Sequence, residues 1–109
     1  MKNITIIGGS NSTHVIAPLL ANRGFRVTIL TRKSDLWKDT LEVEFQSEDG
    51  EVKRKIKGKI HLITNNEKKA LEDAQIILLC IPVSEYFKVL LRIGKHIPKD
   101  KEVWLGTIY

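Results

Sequence analysis

The chain has 109 residues, enough for one domain, and no run in it approaches the roughly 20 apolar residues of a membrane span. Hydrophobic residues make up 42% and charged residues 28% of the sequence, a composition typical of folded proteins in water. The formal charge of +5 suits an anionic partner, either a polymer or a small phosphate compound. With no signal peptide apparent, we expect a cytoplasmic protein.

The first third of the chain alternates strand and helix patterns. Residues 3–7 are rich in β-branched side chains and stop at Gly8-Gly9, which predicts a buried strand followed by a tight turn. Apolar residues then recur at helical spacing from about Ser12 to Asn22, and Gly24 supplies a stop. Residues 25–30 predict a second strand, and a short helical turn is expected within 34–39.

Residues 41–57 interrupt this alternation. Val43 and Phe45 alternate with acids, a Glu-Asp-Gly turn follows, and later apolar residues alternate with lysines, which predicts a β-hairpin with an acidic strand facing a basic one. The simplest interpretation is a solvated insert. The basic run 53–55 could bind nucleic acid, but the neighbouring acids would neutralise its field. We therefore do not expect a nucleic-acid partner.

The remaining segments resume the alternation. We predict a strand over 59–64, a helix over 66–74, a strand over 75–81, a helix capped by Ser84 and closed by Gly94, and a further strand from Glu102. The run 75–81 is continuously apolar, as in strands covered on both faces. The chain is therefore predicted to be α/β, with a Rossmann-like, doubly wound, mainly parallel sheet and a hairpin insert.

The turn after the first strand predicts a phosphate site. A Gly at this position permits a tight turn, small residues let the backbone approach a pyrophosphate, and the helix amides stabilise its charge. Against the G-x-G-x-x-G pattern, Gly8 matches while Ser10 and Thr13 replace glycines, so an ordinary βα turn stays the alternative. The predicted cofactor-binding residues here are Gly8, Gly9, Ser10, Asn11, Ser12 and Thr13.

The end of the second strand selects the coenzyme. An acid there binds the ribose hydroxyl of NAD, whereas an arginine accommodates the 2′-phosphate of NADP. The chain offers Thr31, Arg32, Lys33 and Ser34, which favours NADP with NAD as the alternative. The loop Ile81-Pro82-Val83 follows a central strand, so we expect it to border the cofactor as well.

Two reactive side chains receive structural interpretations. His14 has no evident acid or serine partner, so packing or hydrogen bonding is its expected role. Cys80 lies in an apolar run, where a free thiol is typically a small buried hydrophobe. As the only cysteine, it also excludes an internal disulfide and a zinc site of several thiolates, and we predict no metal site.

At this point the chain resembles the N-terminal domain of the octopine/nopaline (opine) dehydrogenase family. The resemblance rests on the segment Gly8 to His14, on Trp37 and its surroundings, on the hairpin, and on residues 74–82 before an aromatic-bearing helix. The N-terminal domains of glycerol-3-phosphate dehydrogenases and ketopantoate reductases are similar. The resemblance implies NAD(P)H as hydride donor for the reductive condensation of an amino acid with a 2-keto acid.

The resemblance also implies a division of labour between domains. The family's catalytic residues lie in a second domain, so we expect residues 1–109 to be one NAD(P)-binding Rossmann domain that is catalytically silent alone, whether fragment or solo domain. The alternative is a non-catalytic nucleotide-sensing or partner-binding module. An open sheet edge near the end of the chain makes a homodimer a further prediction.

Overall fold

A computed structural model describes residues 2–108. Of Val52 and Lys53 it describes the backbone alone. Met1 and Tyr109, and the Lys53 side chain of the basic run, lie outside the described part. The strands are β1 (Asn3–Ile7), β2 (Arg26–Leu30), β3 (Thr40–Gln46), β4 (Val52–Lys59), β5 (Leu62–Thr64), β6 (Ile76–Leu79) and β7 (Trp104–Thr107). The helices are α1 (Asn11–Asn22), α2 (Glu67–Leu71) and α3 (Tyr86–Ile93), with 3₁₀ turns at Ser34–Leu36, Val83–Glu85 and Gly94–His96.

Five strands form a parallel sheet in the order β5-β2-β1-β6-β7, and β3 pairs with β4 in a separate antiparallel hairpin. The chain moves outward from β1 to β2 and β5, then returns to the other side of β1 through β6. This reversal between β1 and β6 defines a doubly wound sheet. The predicted fold class is confirmed.

Alternating side chains bury both faces of the sheet. In β6, Ile77 and Leu79 join the core beneath α2 and α3, whereas Ile76 and Leu78 pack toward the core beneath α1. The other inner strands divide in the same way. Burial on both faces explains why the central strand reads as a continuous apolar run rather than an alternation.

The hairpin is not the solvated insert that the sequence suggested, because it packs against α1. Val43 is buried on its inner face, and the Asn22 side chain donates to the Lys57 carbonyl at 3.0 Å. On the outer face, Lys55 pairs with Glu42 and Glu44, which confirms the predicted facing charges. These acids offset the charges of Lys55 and Lys57 on the basic strand.

Several element boundaries differ from the predictions: β6 and β7 are shorter at their ends, and three differences are larger. The strand expected over 59–64 is divided, because β4 continues to Lys59 and the central sheet resumes only at Leu62. The helix expected over 66–74 is shortened to α2, with the Asn66 side chain accepting from the Lys69 amide at 3.0 Å as its cap. Ser84 is not a helix cap, because it lies inside a 3₁₀ turn that precedes α3.

Over the described residues, no helix combines the length and the hydrophobicity needed to cross a bilayer. The sheet ends at β7, which pairs only with β6 among these residues and exposes Trp104 and Leu105. An exposed edge of this kind can add a strand from another chain. The homodimer stays a prediction.

A substitution at Gly58 tests the contact between the hairpin and α1. A Cβ there would overlap the Pro18 carbonyl oxygen and lie 2.7 Å from the Pro18 Cα. We expect Gly58→Ala to destabilise the chain by about 1–3 kcal/mol in urea unfolding, because α1 and the hairpin must separate. Gly94→Ala is the matched control, since a Cβ at that position meets nothing within 4 Å. Equal unfolding free energies for the two variants would contradict this packing.

Candidate functional site

A cleft of about 680 Å³ opens at the carboxyl ends of the parallel strands. The ends of β1, β2 and β6 supply its floor, and α3 and the segment after β2 supply its walls. Six of the predicted cofactor residues line this cleft, and they come from all three predicted segments: Gly8, Gly9, Thr31, Arg32, Lys33 and Ile81. Ligands of doubly wound sheets bind at this edge, where the strand order reverses.

Gly8 lies where β1 and β6 end side by side. Its φ is +118°, a backbone conformation that residues other than glycine rarely adopt. A Cβ there would overlap the carbonyl oxygen of Cys80 and lie 2.9 Å from the Ile81 side chain. The site therefore requires glycine for close approach of two backbones.

The two residues that replace glycines use their hydroxyls inside the loop. Ser10 donates to the Cys80 carbonyl at 3.1 Å, and Thr13 donates to the Gly8 carbonyl at 2.9 Å. Thr13 is fully buried, and neither it nor Ser10 lines the cleft. These hydroxyls fix the turn from beneath and leave its cleft side to backbone groups and Gly9.

Ser10 is the N-cap of α1 but makes no side-chain capping bond, because its hydroxyl is directed to Cys80. The amides of Thr13 and His14 bond back to the Ser10 carbonyl. Those of Asn11 and Ser12 precede the first possible intrahelical bond and call for an acceptor from outside the helix. Amides of this kind, together with the helix dipole, favour an anionic oxygen as that acceptor.

Trp37 forms a side wall of the cleft, and no role beyond the resemblance is predicted for it from the sequence. Its ring stacks on His14 with centroids 4.1 Å apart and planes inclined by 6°. A Cβ on Gly9 would lie 3.4 Å from this indole and 2.9 Å from the Thr31 hydroxyl. The stack joins the first turn of α1 to the segment after β2, consistent with the packing role expected for His14.

The end of β2 brings basic side chains to the cleft. Arg32 and Lys33 are exposed and line it, while Ser34 and the acid that follows, Asp35, do not. The Thr31 amide donates to the Thr64 carbonyl at 3.0 Å, which places the end of β5 beside this segment.

The loop after β6 contributes less than predicted. Ile81 lines the cleft, but Pro82 and Val83 are exposed outside it, as is Asn11 at the start of α1. Ser12 is half-buried and also lies outside the cleft lining. Cys80 is buried, which confirms the structural interpretation of the thiol.

Several further cleft residues cannot be predicted from the sequence. Asn65 and Glu67 come from the end of β5 and the start of α2, and Glu85, Val89 and Arg92 come from the α3 region. Arg92 forms an ion pair with Glu67. The helical pattern of α3 and the polar turn before α2 carried no motif, so only the fold shows that these residues meet. Within the described residues, no three potential metal ligands cluster.

The glycine turn, the helix start and the basic strand end, meeting at the reversal of a parallel sheet, define a dinucleotide-binding Rossmann domain. The family model for the N-terminus of NAD-dependent glycerol-3-phosphate dehydrogenase matches residues 3–107. The chain belongs to this family, as an NAD-binding N-terminal domain.

Solved structures show the same fold. Octopine dehydrogenase with NADH and L-arginine is 22% identical, and the match covers 97% of this chain and 28% of that one with a TM-score of 0.79. Octopine dehydrogenase with NADH and agmatine gives 23% identity, the same coverages and the same TM-score. The fold expected from the resemblance is thereby confirmed.

An uncharacterized protein of Sinorhizobium fredii is 28% identical over 112 residues, covering 96% of this chain and 28% of the relative. The chain thus spans 28% of the length of this relative and of the two octopine dehydrogenase structures. Activities of such longer proteins come to this chain only as proposals.

Cys80 gives the site a pH-dependent marker. Burial raises the pKa of its thiol, and a hydrogen bond with Thr13 offsets this only in part. The unfolded chain therefore ionises first as pH rises, so the thiol's contribution to stability is present at neutral pH and is lost in alkali. We expect the free energy of urea unfolding to fall more steeply between about pH 8 and pH 10 in the wild type than in Cys80→Ala. Identical slopes would contradict a buried thiol.

Proposed function

We propose that this chain holds the coenzyme of an NAD(P)-dependent opine-type dehydrogenase, which condenses an amino acid reductively with a 2-keto acid. The observation that carries the coenzyme site is the N-cap of α1, where the Ser10 hydroxyl bonds to the Cys80 carbonyl and leaves the first helix amides for an outside acceptor. A pyrophosphate supplies such acceptor oxygens, with the negative charge that a helix N-terminus favours.

The residues of the cleft fit the pyrophosphate and the adenosine end of a dinucleotide. Gly8 and Gly9 line the cleft without side chains, so the pyrophosphate would lie over the turn into α1. Arg32 and Lys33 line the side below β2 and would hold the adenosine 2′-phosphate. When bound, the coenzyme supplies a hydride; the chain's own residues bind and orient it.

The opine assignment rests on the fold shared with octopine dehydrogenase, whose structures contain NADH with L-arginine, agmatine or pyruvate. The family model describes glycerol-3-phosphate dehydrogenases. Both belong to the class that reduces a carbon centre with a nicotinamide coenzyme. A cytoplasmic location, where such coenzymes are available, belongs to the same proposal.

The charges at the end of β2 favour NADPH over NADH. Among residues 31–34 there is no carboxylate to bind a 2′-hydroxyl or repel a 2′-phosphate, and Arg32 can form a bidentate pair with the phosphate. This preference is the finer part of the proposal.

Calorimetric titration of the purified chain with NADPH and with NADH tests the site. We expect both to bind, with NADPH tighter, and Arg32→Ala to weaken NADPH about tenfold through loss of a charge-assisted hydrogen bond while changing NADH by less than about threefold. Arg26→Ala is the matched control, since it removes the same charge from the opposite end of β2. The absence of binding to a folded chain would overturn the proposal.

A second assay tests whether this chain is catalytically silent alone. Within residues 2–108 no histidine lines the cleft, and His14 is engaged with Trp37. We therefore expect the isolated chain to bind NADPH without oxidising it when an amino acid and a 2-keto acid are present. The rate of NADPH oxidation, followed by absorbance, should equal the background rate without protein. Turnover by this chain alone would show that catalytic residues lie within it.

A further inference from the structure

Two acidic residues of the cleft, Glu67 and Glu85, are not accounted for by the dinucleotide motifs, and Glu67 is the one that follows β5, the strand beside β2. Glu67 is the first residue of α2, lines the cleft, and forms an ion pair with Arg92 of α3, which also lines it. The Glu67 side chain is 23% exposed and that of Arg92 41%. The carboxylate is thus partly shielded from solvent, where its charge acts more strongly than it would on an open surface.

Glu67 and Arg32 both line the cleft, and the strands that precede them, β5 and β2, end side by side. The hydrogen bond from the Thr31 amide to the Thr64 carbonyl holds the ends of β2 and β5 together. Arg32 follows one partner of this bond by a single residue, and Glu67 follows the other by three. The sheet thereby brings an acid from α2 to the segment where the β2 end itself supplies only cations and hydroxyls.

We propose that Glu67 is a specificity-determining residue that limits the preference of this site for a 2′-phosphorylated coenzyme. The inference rests on the proposed coenzyme-binding function and deepens it. A carboxylate beside the adenosine ribose repels a 2′-phosphate and accepts a hydrogen bond from a free 2′-hydroxyl. In most dinucleotide folds that carboxylate follows the second strand, whereas in this chain it comes from the crossover to the next half of the sheet.

Arg92 sets the strength of this effect. Paired with Glu67, it holds the carboxylate in the cleft and offsets part of its negative potential. Arg32 then attracts the phosphate, Glu67 opposes it, and Arg92 moderates the opposition. The affinity for NADPH relative to NADH therefore depends on three charges that come from three different parts of the chain.

The test compares NADPH and NADH affinities of the wild type with those of Glu67→Gln and Glu67→Asp by calorimetry. Glu67→Gln keeps a hydrogen-bond acceptor for Arg92 but removes the charge. It is expected to tighten NADPH about fivefold without tightening NADH. Glu67→Asp retains the charge and is expected to keep the wild-type ratio.

Glu72→Gln is the matched control, because it removes the same charge from the C-cap of the same short helix, outside the cleft. If it shifts the ratio as far as Glu67→Gln does, net charge rather than position is responsible and the inference is overturned. An unchanged ratio in Glu67→Gln, with both coenzymes still bound, overturns the inference and leaves the proposed function intact. Failure of the wild type to bind either coenzyme overturns the proposed function itself.

Discussion

The close approach of Gly8 to the Cys80 carbonyl is the constraint on which the site depends. At this point β1 ends beside β6, and the chain has room for backbone alone. Because Gly8 adopts a positive φ, the chain leaves the sheet sharply and α1 starts directly above the strand ends. The Ser10 hydroxyl then completes the join by bonding to the same carbonyl. A larger residue at position 8 would separate the two strands whose divergence creates the cleft.

Much of this fold could be predicted from the sequence because burial determines the spacing of apolar residues along the chain. The continuous apolar run of β6 reflects cover on both faces, and the acid-base alternation of the hairpin reflects the cross-strand pairs that Lys55 makes. Gly24, with a φ of +94°, marks the end of α1 as expected. These are local signals, and each was interpreted correctly from its own segment.

The parts that were missed depend on contacts between segments distant in sequence. Nothing in residues 41–57 shows that Val43 is buried against α1, because alternation is the same for a hairpin in solvent and one that covers a helix. Glu67 and Arg92 are 25 positions apart, and each alone is an ordinary surface charge. Thr13 occupies the third position of the motif, and only the structure shows that its hydroxyl donates to the Gly8 carbonyl beneath the turn.

The hairpin occupies the connection between β2 and β5, where a doubly wound sheet commonly has a helix. Its base is held by Asn22 and Gly58, while none of its residues lines the cleft. At the tip, Gly50 has a φ of +85° and a Cβ added there would meet nothing within 4 Å, and none of residues 47–51 belongs to either core cluster. Length can therefore vary at this tip without disturbing coenzyme or sheet, which makes it a natural point for insertions and for attaching a reporter group.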